Sequence, residues 1–409
     1  MASDAPKPGG MISVDDALAR VLEGARARPV ASENIPVAQA CGRILTADLA
    51  AQRTQPPFDM SAMDGFAVRA ADTTPPRALK VVGESAAGHP FLGTIQPGEA
   101  TRIFTGARVP DGADCILIQE DATVSGDDVT PHAPIALGRH IRRSGLDFIT
   151  GETLLTRGTL LTPGALALAA SMNHALLPVA KPPLIAILAT GDELAQAGSD
   201  DAEATIATNA LALAAMARMN GADVLDLGIA RDTRESLIAA FDSALDANAA
   251  CLVTIGGASV GKHDLVKPVA QTIGATLDFY KIAMRPGKPL SFGALGDMLL
   301  LGLPGNPVSS MVCGQLFLVP LILALQGATF AVDASEPAFL ATPLPANDVR
   351  QDYLRAILSR DAEGRLMAAA LANQDSSLLA TYARARALII RAPFAPAADK
   401  GETCRILRI

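Results

Sequence analysis

The sequence contains 409 residues with a formal net charge of −8, and 50% of the residues are hydrophobic but only 4% aromatic. A chain of this length is too long for one hydrophobic core and suggests about two to four domains. The acidic balance provides no basic surface for wrapping nucleic acid or an anionic membrane, so we expect neither partner.

The cysteines and the N-terminus indicate a reducing compartment. The 5 cysteines are odd in number, widely spaced and without a C-x-x-C pair, so we interpret them as buried free thiols. Residues 1–10 lack the apolar core of a signal peptide, and no apolar run approaches the roughly 20 residues of a membrane span. We therefore expect a cytoplasmic protein.

The first part of the chain indicates a domain that is interrupted by an insertion. Ser13 precedes an amphipathic run with acidic residues in its first turn, which predicts a helix start, and Pro29 ends that helix. A second helical stretch at 163–173 is expected to pack back on this first helix. We predict a discontinuous N-terminal domain of residues 12–54 plus 148–180.

Residues 55–147 form the predicted insertion. They are dense in glycine and proline, with short alternating runs between turns, which is typical of a small barrel-like β domain. Two of its turns carry polar groups, Asp59 after a proline pair and Thr105 beside a glycine. On spacing alone Asp59 is a solvated turn residue.

From residue 181 to about 327, strand patterns alternate with helix patterns, which predicts an α/β domain with a parallel sheet. The continuous apolar run at 184–189 is typical of a strand covered on both faces. Asn220 and Gly221 form a C-cap signal for one helix. Residues 232–235 fit a capping box, with Asp232 first and Glu235 last, for the next helix.

Polar loops follow the predicted parallel strands. The carboxyl ends of such strands meet at one edge of an open α/β sheet, and ligands bind there. We therefore expect these loops to converge on one pocket. They contain Glu193, Asp232, the glycine-rich segment 256–264 with Asp264 at its end, and the turn 304–307.

The glycine-rich segment suits an anion, because glycine lets backbone N–H groups and a phosphate come close together. Gly256 to Lys262 matches the G-x-x-x-x-G-K part of the P-loop. His263 stands where that motif needs a magnesium-binding Ser or Thr, which disfavours ordinary nucleotide hydrolysis. A plain structural turn is the alternative interpretation.

Short strands return at residues 332–409 and predict a C-terminal β domain. A hairpin signal lies at 361–364, between two strand patterns. Just before this domain, the segment 281–289 contains the basic residues Lys281, Arg285 and Lys288.

Several motifs occur together in one order. They are PPFDMSAMDGFAV from Pro56, IFTGA from Ile103, TGDEL from Thr190, GGASVGKHD from Gly256, RPGKP from Arg285 and LPGNPVS from Leu303. Together they resemble the molybdopterin molybdenumtransferases, the MoeA and gephyrin E-domain family, over residues 12–409. The resemblance implies a multidomain α/β fold: a central three-layer, MogA-like α/β domain, a discontinuous N-terminal domain with an inserted β domain, and a C-terminal β domain. It also implies an elongated homodimer whose site lies between subunits.

The activity implied by the resemblance is insertion of molybdate into adenylylated molybdopterin, which releases AMP and forms molybdenum cofactor with the help of magnesium. The implied partners are a second copy of the chain, molybdopterin adenylyltransferase and molybdoenzyme chaperones. Such a substrate carries a pyrophosphate, for which cations and backbone N–H groups are suitable, and a divalent cation needs carboxylate oxygens.

The matched motif positions carry over the family's site residues. The predicted catalytic residues are Asp59, Thr105, Glu193, Asp232, Asp264, Lys281, Arg285 and Arg355. The predicted cofactor-binding residues are Gly256, Gly257, Ser259, Gly261, Lys288, Pro304, Asn306 and Ser376. The predicted metal ligands are Asp264, Glu193 and Asp232. Of the basic residues, Lys281, Arg285 and Arg355 are expected to bind oxyanions.

Two departures from the family pattern bear on substrate preference. Arg285 stands where the family commonly has Lys, and a planar fork does not bind a tetrahedral oxyanion as a point charge does. Residues 374–377 keep only a loose version of the family's pterin-side loop, and the Arg-Ala-Arg-Ala sequence at 384–387 replaces the family's usual small-polar pattern. The alternatives are adenylylation of molybdopterin on the same α/β domain, or a non-catalytic pterin-binding scaffold, for which buried carboxylates would be unnecessary.

Overall fold

The computed structural model describes residues 11–257 and 265–409. Three of the predicted site residues, Ser259, Gly261 and Asp264, lie outside these described residues. The first helix, Val14–Arg26, begins as predicted, because the Ser13 side chain accepts a hydrogen bond of 3.0 Å from the Asp16 amide.

The segments before and after the insertion pair with each other, as the predicted discontinuous domain requires. Strand Ser32–Pro36 runs antiparallel to Leu176–Ala180, and Leu49–Ala50 runs antiparallel to Thr153–Leu155. The 3₁₀ turn Val37–Gln39 and helix Pro163–Ser171 complete this unit.

One packing expectation for this part of the chain is wrong. Helix Pro163–Ser171 buries Ala169 with Leu45 and Phe148 in a core of its own. Helix Val14–Arg26 instead joins the core of the α/β domain, where Ala17 and Val21 belong to the same cluster as Leu321. The pattern of a helix shows that it has an apolar face but does not name the surface that covers it.

The insertion is all-β, as predicted. Its sheet has 6 strands, and a separate pair joins Met60–Ser61 to Ile141–Arg142. Short 3₁₀ turns lie at Ala70–Thr73 and Gln119–Asp121. In sheet order the strands are Cys115–Ile118, Gly65–Val68, Glu99–Ile103, Leu79–Ser85, Asp128–Pro131 and Ala122–Ser125.

The α/β domain is built on a second sheet of 6 strands. In sheet order they are Asp223–Ala230, Leu184–Thr190, Cys251–Ile255, Met298–Leu303, Ser291–Leu295 and Thr276–Phe279. The first four are mutually parallel, and the last two are antiparallel additions. A small parallel pair joins Leu194–Ala195 to Thr205–Ile206.

Helices cover both faces of this sheet. Along Leu184–Thr190, Ile185 and Ile187 belong to one core cluster, whereas Ala186 and Leu188 belong to another. Alternation of side chains along a strand thus produces three layers. The covering helices are Thr208–Met219, Arg234–Asp246, Val266–Thr272 and Pro307–Leu325, the last with a π-helical turn at Gly314–Leu318.

Two predicted helix ends differ in outcome. Thr208–Met219 ends as predicted, with Gly221 at φ +84° in the left-handed region. For Arg234–Asp246 the predicted cap was off by one residue: Thr233 is the N-cap, and its hydroxyl accepts from the Ser236 amide at 3.3 Å. Asp232 therefore stands before the helix.

The expectation about apolar runs also needs correction. Helix Pro307–Leu325 has 19 residues and is apolar enough to cross a membrane by length and composition. Its most apolar stretch is 78% buried inside the protein, where it packs beneath the α/β sheet. A buried core helix satisfies the same criterion of length and hydropathy, so this helix is weak evidence for a membrane span.

The C-terminal strands close into a barrel. Strand Gln351–Arg360 pairs with both Leu366–Ala370 and Ala387–Arg391, and the predicted hairpin at 361–364 joins the first two. Glu336–Leu340 and Thr403–Arg408 complete the ring, and Leu379–Arg384 is a short helix. The strand Met284–Arg285 of the α/β domain pairs with Gln351 and Asp352, so the barrel is continuous with that domain.

Candidate functional site

A cavity of about 680 Å³ lies at the carboxyl edge of the parallel strands. The loops that the sequence predicted to converge all line it, through Glu193, Asp232, Gly256 and Asn306 among others. This volume is in the range of pockets for small organic ligands. The predicted convergence of these loops is therefore confirmed.

The turn after Leu184–Thr190 brings acidic groups to the cavity. Gly191 has φ +148°, a backbone conformation that favours glycine, and the absence of a side chain leaves room for the Glu193 carboxylate, which would lie 2.6 Å from a Cβ at this position. The Asp192 carboxylate accepts a hydrogen bond of 3.2 Å from the Asp232 amide. Two loops from neighbouring strands are thus tied together next to Glu193 and Asp232, which both line the cavity.

Gly256 allows the close approach of two strands. It has φ +90°, and a Cβ at this position would lie 2.7 Å from the Thr190 carbonyl oxygen. Its N–H donates to the Leu303 carbonyl at 3.1 Å, so this amide completes the sheet and is not available to a phosphate. Gly257, with φ +60°, also lines the cavity.

The loop 304–307 forms another part of the cavity lining, and Asn209 holds it. The Asn209 amide donates to the Gly305 carbonyl at 2.7 Å, and this side chain is only 9% exposed. The Ser310 hydroxyl donates to the Pro304 carbonyl at 2.6 Å. The sequence reasoning missed Asn209, although a polar residue in the first turn of a helix beside the converging loops was a usable signal.

The C-terminal barrel reaches the cavity through Ser376. Asn306 lines the cavity, and its amide donates to the Ser376 hydroxyl at 3.0 Å. The Val308 amide donates to the Ser376 carbonyl at 3.0 Å. The predicted site residues Pro304, Asn306 and Ser376 are therefore brought together in one chain.

The structure does not bring the predicted arginines to the cavity lining. Arg285 is paired with Asp352 and, at 3.2 Å, with Asp348, and the hydrogen bond that it donates to the Asp352 carboxylate raises the pKa of Arg285. Arg355 is 1% exposed, and its guanidinium donates to the carbonyls of Tyr353 and Asp375 at 3.4 Å. Burial lowers the pKa of Arg355, because the charged form loses water.

The two predicted lysines also lie outside the cavity lining. The Lys281 ammonium lies 5.3 Å from the centre of the Tyr280 ring, and the Lys267 ammonium lies 3.8 Å from the same centre. The Lys288 carbonyl accepts hydrogen bonds from the amides of Ile282 and Leu290, and its side chain is exposed. The oxyanion-binding roles of these residues stay predictions.

Asp59 and Thr105 lie together on the inserted β domain, away from the cavity. Asp59 accepts from Arg143 at 2.6 Å and from the Ser144 amide at 2.8 Å. The Thr105 amide donates a hydrogen bond to the Asp64 carboxylate, and the Thr105 hydroxyl donates a second one at 2.8 Å. These two hydrogen bonds lower the pKa of Asp64. The Gly106 amide donates to the Ser61 carbonyl at 2.9 Å and the Ser61 amide donates to the Ala107 carbonyl at 2.9 Å, so the two loops are joined.

The acidic groups at the cavity are the candidate cation ligands. Glu193 and Asp232, two of the three predicted ligands, line the same cavity. Within residues 11–257 and 265–409, no group of three or more His, Cys, Asp or Glu side chains is arranged to hold a metal ion. Asp264, the third predicted ligand, lies outside these ranges.

Family models match three successive parts of the chain. Residues 12–173 match the MoeA N-terminal region (domain I and II), residues 186–324 match a probable molybdopterin binding domain, and residues 337–409 match the MoeA C-terminal region (domain IV). The matches occur in the order that the motifs predicted.

Similar proteins cover nearly the whole chain. A molybdopterin molybdenumtransferase of Haemophilus influenzae is 33% identical over 97% of this chain and 98% of its own length. One of Bacillus subtilis is 32% identical over 97% of this chain and 94% of its own length.

A solved structure supports the same assignment. The molybdopterin biosynthesis MoeA protein of Pyrococcus horikosii has a TM-score of 0.81 and 27% identity, covering 98% of this chain and 99% of its own. The predicted multidomain α/β fold and the predicted family are confirmed. The chain belongs to the molybdopterin molybdenumtransferase family.

Proposed function

We propose that this protein is an enzyme that inserts molybdenum into adenylylated molybdopterin, with release of AMP and formation of molybdenum cofactor. The observation that carries the proposal is the cavity that Glu193 and Asp232 line together with the glycine turn of Gly256 and Gly257. Breaking a phosphoanhydride needs position and charge neutralisation rather than a nucleophilic side chain. Carboxylates that can share a cation with the substrate supply what this chemistry requires.

Two carboxylates of the cavity support magnesium as the proposed cation. Glu193 and Asp232 offer hard carboxylate oxygens at one edge of the sheet, which is the ligand type that magnesium prefers. When bound, the ion neutralises phosphate charge. We assign Asp264 as the third ligand on the basis of its motif. The loop 304–307, fixed by Asn209, provides a rigid wall against which the substrate is oriented.

We further propose that the working form is a cytoplasmic homodimer. Asp59 and Thr105 lie on one surface of the inserted domain and do not line the cavity of their own chain. In the homodimer, Asp59 and Thr105 of one subunit would lie at the cavity of the other subunit. This arrangement accounts for the presence of both residues in the family motifs. Molybdopterin adenylyltransferase would supply the substrate, and molybdoenzyme chaperones would receive the product.

The direct experiment measures AMP release from adenylylated molybdopterin, with and without molybdate and magnesium. We expect release that requires both, and a loss of about tenfold or more in Glu193→Gln and Asp232→Asn, because each removes a charged oxygen donor. Asp226→Asn is the matched control, since Asp226 lies on the strand before Asp232, does not line the cavity, and its carboxylate accepts from the Gly228 amide at 2.9 Å.

The possible outcomes separate the proposals. Absence of molybdate-dependent release from the wild-type protein would refute the proposed function. Unchanged release in Glu193→Gln, Asp232→Asn and Asp264→Ala would refute the cation assignment alone. Consumption of ATP with free molybdopterin would support the adenylyltransferase alternative.

A further inference from the structure

Gln374 occupies an unusual place at the end of a β ladder. Strands Gln351–Arg360 and Leu366–Ala370 pair regularly as far as Ala356 and Ala370. Beyond that pair, the Leu371 amide still donates to the Arg355 carbonyl at 2.8 Å. The reciprocal hydrogen bond, from the Arg355 amide to Leu371, is replaced by a side chain.

The Gln374 amide group fills that gap. Its Oε1 accepts from the Arg355 amide at 2.9 Å, and its Nε2 donates to the Leu371 carbonyl at 2.7 Å and to the Arg355 carbonyl at 2.9 Å. One side chain thus satisfies the backbone groups of both strands where they separate. Backbone groups that are removed from water need such partners.

This anchoring fixes the loop that follows Gln374. The Asp375 carbonyl accepts from the buried Arg355 guanidinium at 3.4 Å. The Asp375 carboxylate accepts from the amide and hydroxyl of Ser377, which closes a tight turn. Ser376, between them, contacts Asn306 and Val308 at the cavity wall.

We propose that Gln374 is a positioning residue for the cavity. It does not line the cavity, but it holds one loop against two features: the strand that carries Arg355 and the wall that carries Asn306. Loss of its hydrogen bonds frees the loop, so that Ser376 loses its place at the wall and the Arg355 guanidinium loses the Asp375 carbonyl. The inference rests on the proposed function only for its kinetic consequence.

The first test replaces Gln374 by Met, which has similar length and no amide. We expect the molybdate concentration for half-maximal AMP release to rise about tenfold, which corresponds to the loss of one or two hydrogen bonds. Gln374→Glu keeps the acceptor for the Arg355 amide but places a carboxylate oxygen against the carbonyls of Leu371 and Arg355, so it should be impaired as well. Gln351→Met is the control, because it removes a hydrogen bond of 2.6 Å to the Tyr353 hydroxyl from the same strand.

The second test measures coupling, which a purely structural role would not produce. If Gln374 acts by placing Ser376, the double variant Gln374→Met with Ser376→Ala should be about as impaired as the worse single variant. Independent effects would instead multiply. Multiplying effects, or a wild-type half-saturation value in Gln374→Met, would overturn the positioning role.

A third measurement does not depend on the proposed function. Amide hydrogen exchange should increase at Arg355, Val308 and residues 374–377 in Gln374→Met, and remain at the wild-type level there in Gln351→Met. Unchanged exchange in Gln374→Met would overturn the inference. If the wild-type protein releases no AMP, the proposed function fails, whereas the exchange experiment still decides whether Gln374 holds the loop.

Discussion

At the scale of single residues, the cavity depends on polar side chains that fix backbone rather than touch a ligand. Asn209 is nearly buried, and its amide donates a hydrogen bond to the Gly305 carbonyl of a neighbouring loop. The Asp192 carboxylate accepts a hydrogen bond from the Asp232 amide and so holds a second loop. Such contacts hold loops from different strands in one arrangement, which is the preorganisation that a binding site needs.

We expect Asn209→Ala to lower both the stability of the protein and the rate of AMP release. It leaves the Gly305 carbonyl without its donor, at a cost of about 1–3 kcal/mol, or roughly tenfold or more in activity if the loop is displaced. The measurement compares the kinetics of AMP release and the thermal stability of the variant.

Asn220→Ala is the control for Asn209→Ala, since Asn220 lies at the other end of the same helix and donates to the Met216 carbonyl at 2.8 Å. Equal activity in both variants would contradict a role for Asn209 in holding the loop.

The Thr105 hydrogen bonds should be visible in the titration of Asp64. They hold the pKa of Asp64 below its ordinary value of 3.8, so their stabilisation is present above that value and is lost as the pH falls through the folded-state pKa. Thr105→Val removes the hydroxyl donor but keeps the amide, so the pKa of Asp64 should move part of the way back. NMR titration of carboxyl carbons measures this shift.

Asp375 is an internal reference in the same titration, because the Ser377 hydrogen bonds lower its pKa independently of Thr105. Movement of both carboxyls together would indicate a general change of structure, and no movement of Asp64 would contradict the assigned cause.

At the scale of elements, the sequence was informative where one local rule decides the outcome. The hairpin at 361–364, the C-cap at Gly221 and the N-cap at Ser13 were predicted because each depends on neighbouring residues. The packing partner of helix Val14–Arg26 was not, because an apolar stripe does not specify which surface covers it.

The same distinction applies to the candidate site. Parallel strands bring their following loops to one edge, so Glu193, Asp232 and Asn306 could be placed at one cavity from the sequence. The burial of Arg355 and the pairing of Arg285 with Asp352 could not, since they depend on how the barrel meets the α/β domain. Asn209 and Gln374 stand outside the family motifs as binding residues, because their main contacts are to the backbone of another loop or strand.

The displaced cap gives a direct prediction about two adjacent residues. Thr233→Ala should lower the free energy of unfolding by about 1 kcal/mol, because its hydroxyl satisfies the Ser236 amide. Asp232→Ala should act on activity, because Asp232 stands before the helix and lines the cavity. Urea denaturation and AMP release of the two variants measure the difference, and an unchanged free energy of unfolding in Thr233→Ala would contradict Thr233 as the N-cap.

At the scale of the whole molecule, the C-terminal barrel is joined to the α/β domain by backbone and by charge. Met284 and Arg285 pair with Gln351 and Asp352 along the strands. The Arg285 guanidinium then returns to Asp352, which is 4% exposed, and to the exposed Asp348. Arg285 therefore links the two domains. Its planar guanidinium can pair with two carboxylates at once, which the single ammonium of a lysine would do less well.

Breaking this link should loosen the barrel. The pair has one buried and one half-exposed partner, so we expect Asp352→Ala to cost about 1–3 kcal/mol, between the values for exposed and buried ion pairs. Arg285→Lys should lose less, because it keeps the charge. Asp333→Ala is the control, since Asp333 and its partner Arg405 are both exposed and should cost less than about 1 kcal/mol.

Two measurements report on the barrel directly: urea denaturation of each variant, and amide hydrogen exchange of residues 351–360 in the native protein. Faster exchange of that strand in Asp352→Ala, but not in Asp333→Ala, is the result expected from an interdomain link. Because Arg355 and the loop carrying Ser376 belong to the same barrel, loss of the link should also raise the molybdate concentration for half-maximal AMP release. Equal stability and exchange in the two variants would show that the strand pairing at Met284 and Arg285 holds the domains together without the ion pair.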